Sequence, residues 1–158
     1  MGILIARDIM NRDVLTVRAD WLVEQLADFL VENSISGAPV ISEDGKLIGV
    51  VSSTDIVRYK SIPISNPQPD TPHEYYIHAP DRLYSAEEIE SLRIEAESLI
   101  TVRDIMTPMT LNVTEGTSVQ QVADSMIRGR IHRVLVTEND VLIGIITSMD
   151  MLKIIRDL

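Results

Sequence analysis

The chain has 158 residues, 45% of them apolar, which is enough for one domain or for two small ones with a proper core. Its 24 acidic residues against 14 basic ones give a net charge of −10, which opposes binding to nucleic acid or to an anionic membrane surface and requires a local basic patch for any anionic ligand. It has no cysteine, which excludes disulfides, thiolate metal sites and cysteine nucleophiles.

The start, Met1-Gly-Ile-Leu-Ile-Ala-Arg-Asp8, has no long apolar core behind a basic end, and no run approaches the roughly 18 apolar residues of a membrane helix. A soluble cytoplasmic protein is therefore expected. Leu15 to Val17 reads as a short strand. Asp20 is placed to cap a helix in which Leu22, Val23, Leu26, Ala27 and Leu30 form one apolar stripe. Ala38 to Ile41 and Leu47 to Val51 are apolar runs around the turn Glu43-Asp-Gly-Lys46 and read as a hairpin. Gly49-Val-Val-Ser-Ser-Thr-Asp55 then ends a strand in hydroxyls and a carboxylate, where a helix should start.

Residues 61–100 differ in character. Five prolines, at 63, 67, 69, 72 and 80, make 61–82 a long connection, and Ser85 with Glu88 forms a capping box for a helix whose Ile89, Leu92, Ala96 and Leu99 share a face. Tyr75, Tyr76 and Tyr84 argue that this segment packs on the rest of the chain or on a second subunit. His73 and His78 are five apart, where one helical face requires four, so a metal site there is not expected.

From residue 101 the first pattern returns. Arg7-Asp-Ile-Met10 recurs as Arg103-Asp-Ile-Met106, Val17 as Val113, Val23 as Val119, Ala27-Asp28 as Ala123-Asp124, Ile35 as Ile131 and Val40 as Val136. One residue is then lost in the turn, where Asn139-Asp-Val141 faces Glu43-Asp-Gly-Lys46, and Gly144-Ile-Ile-Thr-Ser-Met-Asp150 answers Gly49 to Asp55. The chain thus divides into a first repeat (1–60), an insertion (61–100) and a second repeat (101–158). Each repeat reads strand, helix, strand, strand, helix, and a unit of about sixty residues is marginal alone, so the two should bury their sheet faces against each other.

The recurring strand end admits two readings. Ser52 and Thr147 can simply cap helices, with Asp55 and Asp150 at the positive end of the dipole. Alternatively, helix N-terminal N–H groups and hydroxyls meet a phosphate while the carboxylate accepts from a pair of sugar hydroxyls, which suits a nucleotide.

A doubled strand-helix-strand-strand-helix unit with Asp-Ile-Met at each start and Gly-h-h-Ser/Thr-x-x-Asp (h apolar) at each end resembles the CBS-domain family, and two such repeats resemble a Bateman module. The match covers nearly all of 5–60 and 101–158 and is silent on the insertion. The resemblance implies an α+β fold of two βαββα repeats packed sheet to sheet with pseudo-twofold symmetry. It also implies two clefts that usually hold adenosine-containing ligands, and dimerisation into a flat disc. One cleft would combine Ser52, Thr54 and Asp55 with Met106, Leu111, Ile131, His132 and Arg133. The other would combine Thr147 and Asp150 with Met10, Leu15, Ile35, Ser36 and Pro39.

Charge makes these clefts unequal. His132-Arg133 lies in the only dense basic run, Arg128 to Arg133, whereas the matching Glu32-Asn-Ser-Ile-Ser36-Gly37 has no base, and Met149 stands where the first repeat has Thr54. The Asp55 cleft is accordingly expected to be the stronger. Arg128 and Arg130 are read as completing a helix dipole, and Met10 and Met106 as adaptable packing residues.

The expected function is that of a non-enzymatic regulatory module. It would need no cofactor, bind AMP, ADP or ATP as a regulatory ligand, and signal occupancy to an unknown partner protein or domain. The alternatives are a sensor of S-adenosylmethionine or another adenosyl ligand and a ligand-free dimerisation module; an enzyme lacks any nucleophile or base with a partner in this sequence. A homodimer is expected, with Trp21, Phe29, Leu30 and Met126 near its surface.

Overall fold

A computed structural model of the chain describes residues 2–60, 72–77, 99–108 and 110–158. The helix expected from Ser85 and the second histidine of the insertion, His78, lie outside the described residues. The first repeat runs α1 (Ala6–Ile9), β1 (Val17–Arg18), α2 (Val23–Asn33), β2 (Gly37–Ile41), β3 (Leu47–Ser52) and α3 (Ser53–Lys60). A short helix α4 (Glu74–Ile77) belongs to the insertion. The second repeat runs α5 (Val102–Ile105), β4 (Asn112–Thr114), α6 (Val119–Gly129), β5 (Arg133–Glu138), β6 (Val141–Thr147) and α7 (Ser148–Arg156).

The fold is α+β, with two three-stranded sheets ordered β1-β2-β3 and β4-β5-β6. In each, the first strand pairs parallel to the second and the second antiparallel to the third. A parallel pair needs a crossover connection, which α2 and α6 supply, and an antiparallel pair closes with a tight turn. Asn139 and Asp140 both take positive φ, so the second hairpin needs only two residues; the first uses a longer turn with Gly45 at φ 82°. That difference in turn type accounts for the residue lost between the repeats.

Helix α2 buries Val23, Leu26, Ala27 and Leu30, as its apolar stripe requires, and α6 buries Val119, Val122 and Met126. Each fully buried leucine contributes roughly 1.5–3 kcal/mol relative to an exposed one. Two sequence expectations change. Asp20 does not cap α2: its carboxylate takes the Arg18 guanidinium at 2.9 Å, and the helix starts at Val23 with the Gln25 side chain accepting the Leu22 N–H at 2.8 Å. The backbone there is held by pairing of Leu22 with Thr101, which delays the first turn. Leu30 and Met126 are buried in their own cores, not near an outer surface, while Trp21 and Phe29, edge-on at 5.3 Å, are half-buried. The exposed large apolar side chains include a row on α7, Met149, Leu152 and Ile155, and Ile127 on α6.

The two repeats are joined by an exchange. The lead-in segment of each, the stretch carrying Asp-Ile-Met, packs on the other repeat. Ala6 N–H donates to Thr117 O and Arg7 N–H to Glu115 O, at 2.8 and 3.0 Å; Val102 N–H donates to Trp21 O and Arg103 N–H to Ala19 O at the same two distances. Val102, Ile105 and Met106 therefore complete the core of the first repeat, and Ala6, Ile9 and Met10 that of the second. The chain then crosses to the partner's third strand, where Asn11 bridges Ile145 and Thr107 bridges Val50. These matched contacts define the pseudo-twofold relation between the two sheets.

The crossing explains the glycine that opens each recurring stretch. A Cβ on Gly49 would sit 2.6 Å from Thr107 O and 3.0 Å from Met106 Sδ, and one on Gly144 would sit 2.5 Å from Met10 Sδ. At Gly49 the obstacle is a backbone carbonyl already bonded to Val50 N–H; at Gly144 it is a flexible thioether. Gly49→Ala is expected to lower stability by about 1–3 kcal/mol, as overpacking does, and Gly144→Ala by less. Urea denaturation of both variants checks the ranking, and equal losses would contradict it.

Candidate functional site

The site is built where strand becomes helix. At the end of β3, Ser52 N–H donates to Asp55 Oδ2 at 2.9 Å, Ser52 Oγ lies 3.4 Å from the same oxygen, and Asp55 N–H returns a bond to Ser52 Oγ at 3.3 Å. At the end of β6, Thr147 N–H and Oγ1 reach Asp150 Oδ2 at 2.8 and 3.1 Å. Both carboxylates thus accept the N–H of the residue that precedes the helix, where the simpler sequence reading has Ser52 and Thr147 do the capping, and each is fixed through one oxygen. The other oxygen, Oδ1, faces a cation at longer range: Arg58 at 3.7 Å from Asp55 and Lys153 at 3.5 Å from Asp150. Capping orients the carboxylate without using all of its acceptor capacity.

Around Asp55 the expected residues converge, and they converge on the insertion. His73 Nε2 lies 2.8 Å from Asp55 Oδ2, with both side chains almost fully buried. Tyr75 lies under the Arg133 guanidinium, 4.8 Å from its carbon to the ring centroid. The Tyr76 carbonyl accepts the His132 N–H at 2.8 Å, and the Tyr76 hydroxyl accepts the Leu111 N–H at 2.9 Å. Ile131 belongs to the same apolar core as these tyrosines, Leu111 packs against that core, and Met106 lies against Gly49. Thr54 is half-buried in the first turn of α3. The His132 side chain is exposed, so what this residue offers the cleft is its backbone N–H. Burial pushes the Tyr75 hydroxyl above its ordinary pKa, opposed by the Arg133 charge beside it, and burial raises that of Tyr76 as well.

Around Asp150 the arrangement is more open. Met10 meets β6 at Gly144. Leu15 is exposed, Ile35 and Ser36 are half-buried, and Pro39 is buried in β2 opposite Val50. The Ser36 carbonyl accepts the Ser53 N–H at 2.9 Å, as the His132 carbonyl accepts the Ser148 N–H at 2.9 Å in the other repeat. Among the described residues no hydrogen bond joins Leu15, Ile35, Ser36 or Pro39 to Thr147 or Asp150. A cavity of about 380 Å³ opens beside Asp150 between α1 and α7, lined by Leu4, Ile9, Lys153 and Ile154 among others. The described residues contain no group of three or more His, Asp or Glu placed to hold a metal.

Sequence reasoning expected Tyr75 and Tyr76 to pack on the repeats or on a second subunit, and did not place them, or His73, inside the cleft. The available signal was composition: two adjacent tyrosines in a chain with 4% aromatic residues. Tyr76→Phe is expected to lower stability by about 1–3 kcal/mol, because it leaves the Leu111 N–H without its acceptor. Thermal or urea unfolding measures this, and an unchanged midpoint would show that the hydroxyl is dispensable.

The geometry agrees with comparisons to known proteins. The family model for the CBS domain matches residues 6–62 and 102–157. The chain is 30% identical over 159 residues to the uncharacterized protein MJ1426 of Methanocaldococcus jannaschii, covering 96% of this chain and 90% of that protein. Other curated relatives are much longer than the stretch matched, which is 59% of one and 10% of another. Among solved structures, CBSX2 of Arabidopsis thaliana in complex with AMP is 23% identical with a TM-score of 0.66, covering 99% of this chain and 98% of that one. The CBS domain pair of MJ0100, in complex with 5-methylthioadenosine and S-adenosyl-L-methionine, is 21% identical with a TM-score of 0.60, covering 99% and 98%. Two matched regions, two sheets and reciprocal lead-in segments lead to one conclusion: the chain belongs to the CBS-domain family, as a pair of CBS repeats.

Proposed function

We propose that the chain is a regulatory module that binds an adenosine nucleotide, AMP, ADP or ATP, at the seams between its repeats and signals occupancy to a partner protein or domain. The observation that carries this reading is the pair of pre-oriented carboxylates, Asp55 and Asp150, each anchored by its own strand end and each beside the crossing of the other repeat's lead-in segment. Ribose offers two adjacent hydroxyl donors, and such a carboxylate accepts them without reorganising. Arg133, and the helix N-termini that follow Ser52 and Thr147, supply positive potential for phosphate in a chain that is otherwise acidic.

In this reading the contacts come from Ser52, Thr54, Asp55, Met106, Leu111, Ile131, His132 and Arg133 at one seam, and from Thr147, Asp150, Met10, Leu15, Ile35, Ser36 and Pro39 at the other. The similarity to CBSX2 with AMP supports an adenosine ligand. The similarity to MJ0100 supports a second reading, an adenosyl ligand such as S-adenosylmethionine, whose sulfonium would be poorly placed against Arg133. The module acts by binding and not by turnover, in the cytoplasm. No helix among the described residues is long and apolar enough to cross a membrane.

Calorimetric titration with AMP, ADP, ATP and S-adenosylmethionine tests the reading, and binding of none would contradict it. At the Asp55 seam, read with Asp150→Ala in the background, Arg133→Ala should weaken AMP and ATP by about tenfold, the weight of a hydrogen bond to a charged group. Adenosine should bind this variant as well as it binds the parent, or better, since the substitution also removes the cation over Tyr75. Added salt should shrink the AMP effect. An equal loss for adenosine would make Arg133 a structural support. The exposed row Met149, Leu152 and Ile155, with Ile127, supports a homodimer. Sedimentation at low micromolar concentration should give a dimer of the 17.7 kDa chain, and a clean monomer would remove it.

A further inference from the structure

The Asp55 seam is already occupied by the protein itself. Asp55 accepts the His73 imidazole, and His73 Nδ1 accepts the Tyr75 N–H at 3.0 Å, so the ring proton must sit on Nε2 and point at the carboxylate. The Tyr75 ring lies against Arg133 and fits beside Gly37, where a Cβ would come within 3.2 Å of Tyr75 Cδ2. Tyr76 uses its carbonyl on His132 N–H and its hydroxyl on Leu111 N–H. The carboxylate, the cation and two backbone donors that would meet a nucleotide are therefore each met by residues of one short stretch.

These are contacts of the same chemical kind that an adenosine ligand makes. A donor faces the carboxylate, a planar π system faces the guanidinium, and acceptors face the N–H groups. From this juxtaposition we propose that His73–Tyr76 is an intramolecular occupant of the Asp55 seam, competitive with adenosine nucleotide, so that a ligand enters there only by displacing it. The proposal rests on the nucleotide reading given above.

Two consequences follow from exclusion alone. Apparent affinity at the Asp55 seam is the intrinsic affinity reduced by the fraction of molecules in which the stretch is out. Asp150, whose hydrogen bonds among the described residues come from Thr147 and Lys153, meets no such occupant among those residues and loads first. The displaced stretch also carries two buried tyrosines into solvent, which gives ligand binding a differential effect on an element that a partner can read.

The test uses the full chain with Asp150→Ala, which confines AMP to the Asp55 seam, and compares His73, His73→Ala and His73→Gln by calorimetry. Hydrogen exchange of 73–77 and 131–133 is followed with and without AMP, in this background and in the unsubstituted protein. His73→Ala should tighten AMP by about tenfold or more, the equilibrium weight of a hydrogen bond to a carboxylate. His73→Gln, which keeps a donor for Asp55, should stay near the parent, and AMP should speed exchange at 73–77. A weaker or unchanged affinity in His73→Ala overturns the proposal. So does AMP bound in the Asp150→Ala background with exchange at 73–77 unchanged, an outcome that leaves the nucleotide reading standing. AMP binding to no form of the protein, the unsubstituted chain included, overturns the nucleotide reading, and competition falls with it.

Discussion

Everything in this molecule depends on the exchange of lead-in segments. Val102 and Met106 fill the core beneath the first sheet, and Ala6 and Met10 fill that beneath the second, so neither repeat holds a complete apolar interior by itself. A unit of about sixty residues buries too little surface for comfortable stability. Exchange solves this by making one core's closure a condition of the other's. It also brings the crossing segment against each third strand at close range, a backbone carbonyl at Gly49 and the Met10 side chain at Gly144, which is where each strand carries a glycine.

The seams follow from that crossing. Where the lead-in segment leaves its partner strand, the strand turns into a helix, and the helix needs an acceptor for its first N–H groups. Asp55 and Asp150 fix that turn by accepting the N–H of Ser52 and Thr147, the last strand residues, through Oδ2, while Oδ1 faces Arg58 and Lys153. Capping and ligand binding are therefore compatible roles for one carboxylate. The cap supplies preorganisation, which lowers the entropic cost of recognising a diol.

Much of this was legible in the sequence because it is local. The stripe of α2, the two hairpins and the recurrent Gly-to-Asp stretches each lie within a few residues, and the second copy of the pattern supports the first. What was not legible depends on separation. His73 meets Asp55 from 18 residues away and Tyr76 meets Leu111 from 35, and no periodicity encodes either pairing. Asp20 was misread as a cap because the pairing of Leu22 with Thr101, distant in sequence, decides where α2 starts. Leu30 and Met126 were misplaced at an outer surface for a similar reason: an apolar stripe shows that a face is buried but not which partner buries it.

The two seams are thus alike in backbone and unlike in content. The one richer in charge is held by the insertion, and the other opens on a cavity beside Asp150. The central claim is that adenosine nucleotide binds at these seams through the capping carboxylates. A crystal structure of the protein grown with AMP tests it most directly. The account predicts ribose hydroxyls within hydrogen-bond distance of Asp150, and of Asp55 in molecules where His73 has left it. AMP bound away from both carboxylates would contradict it.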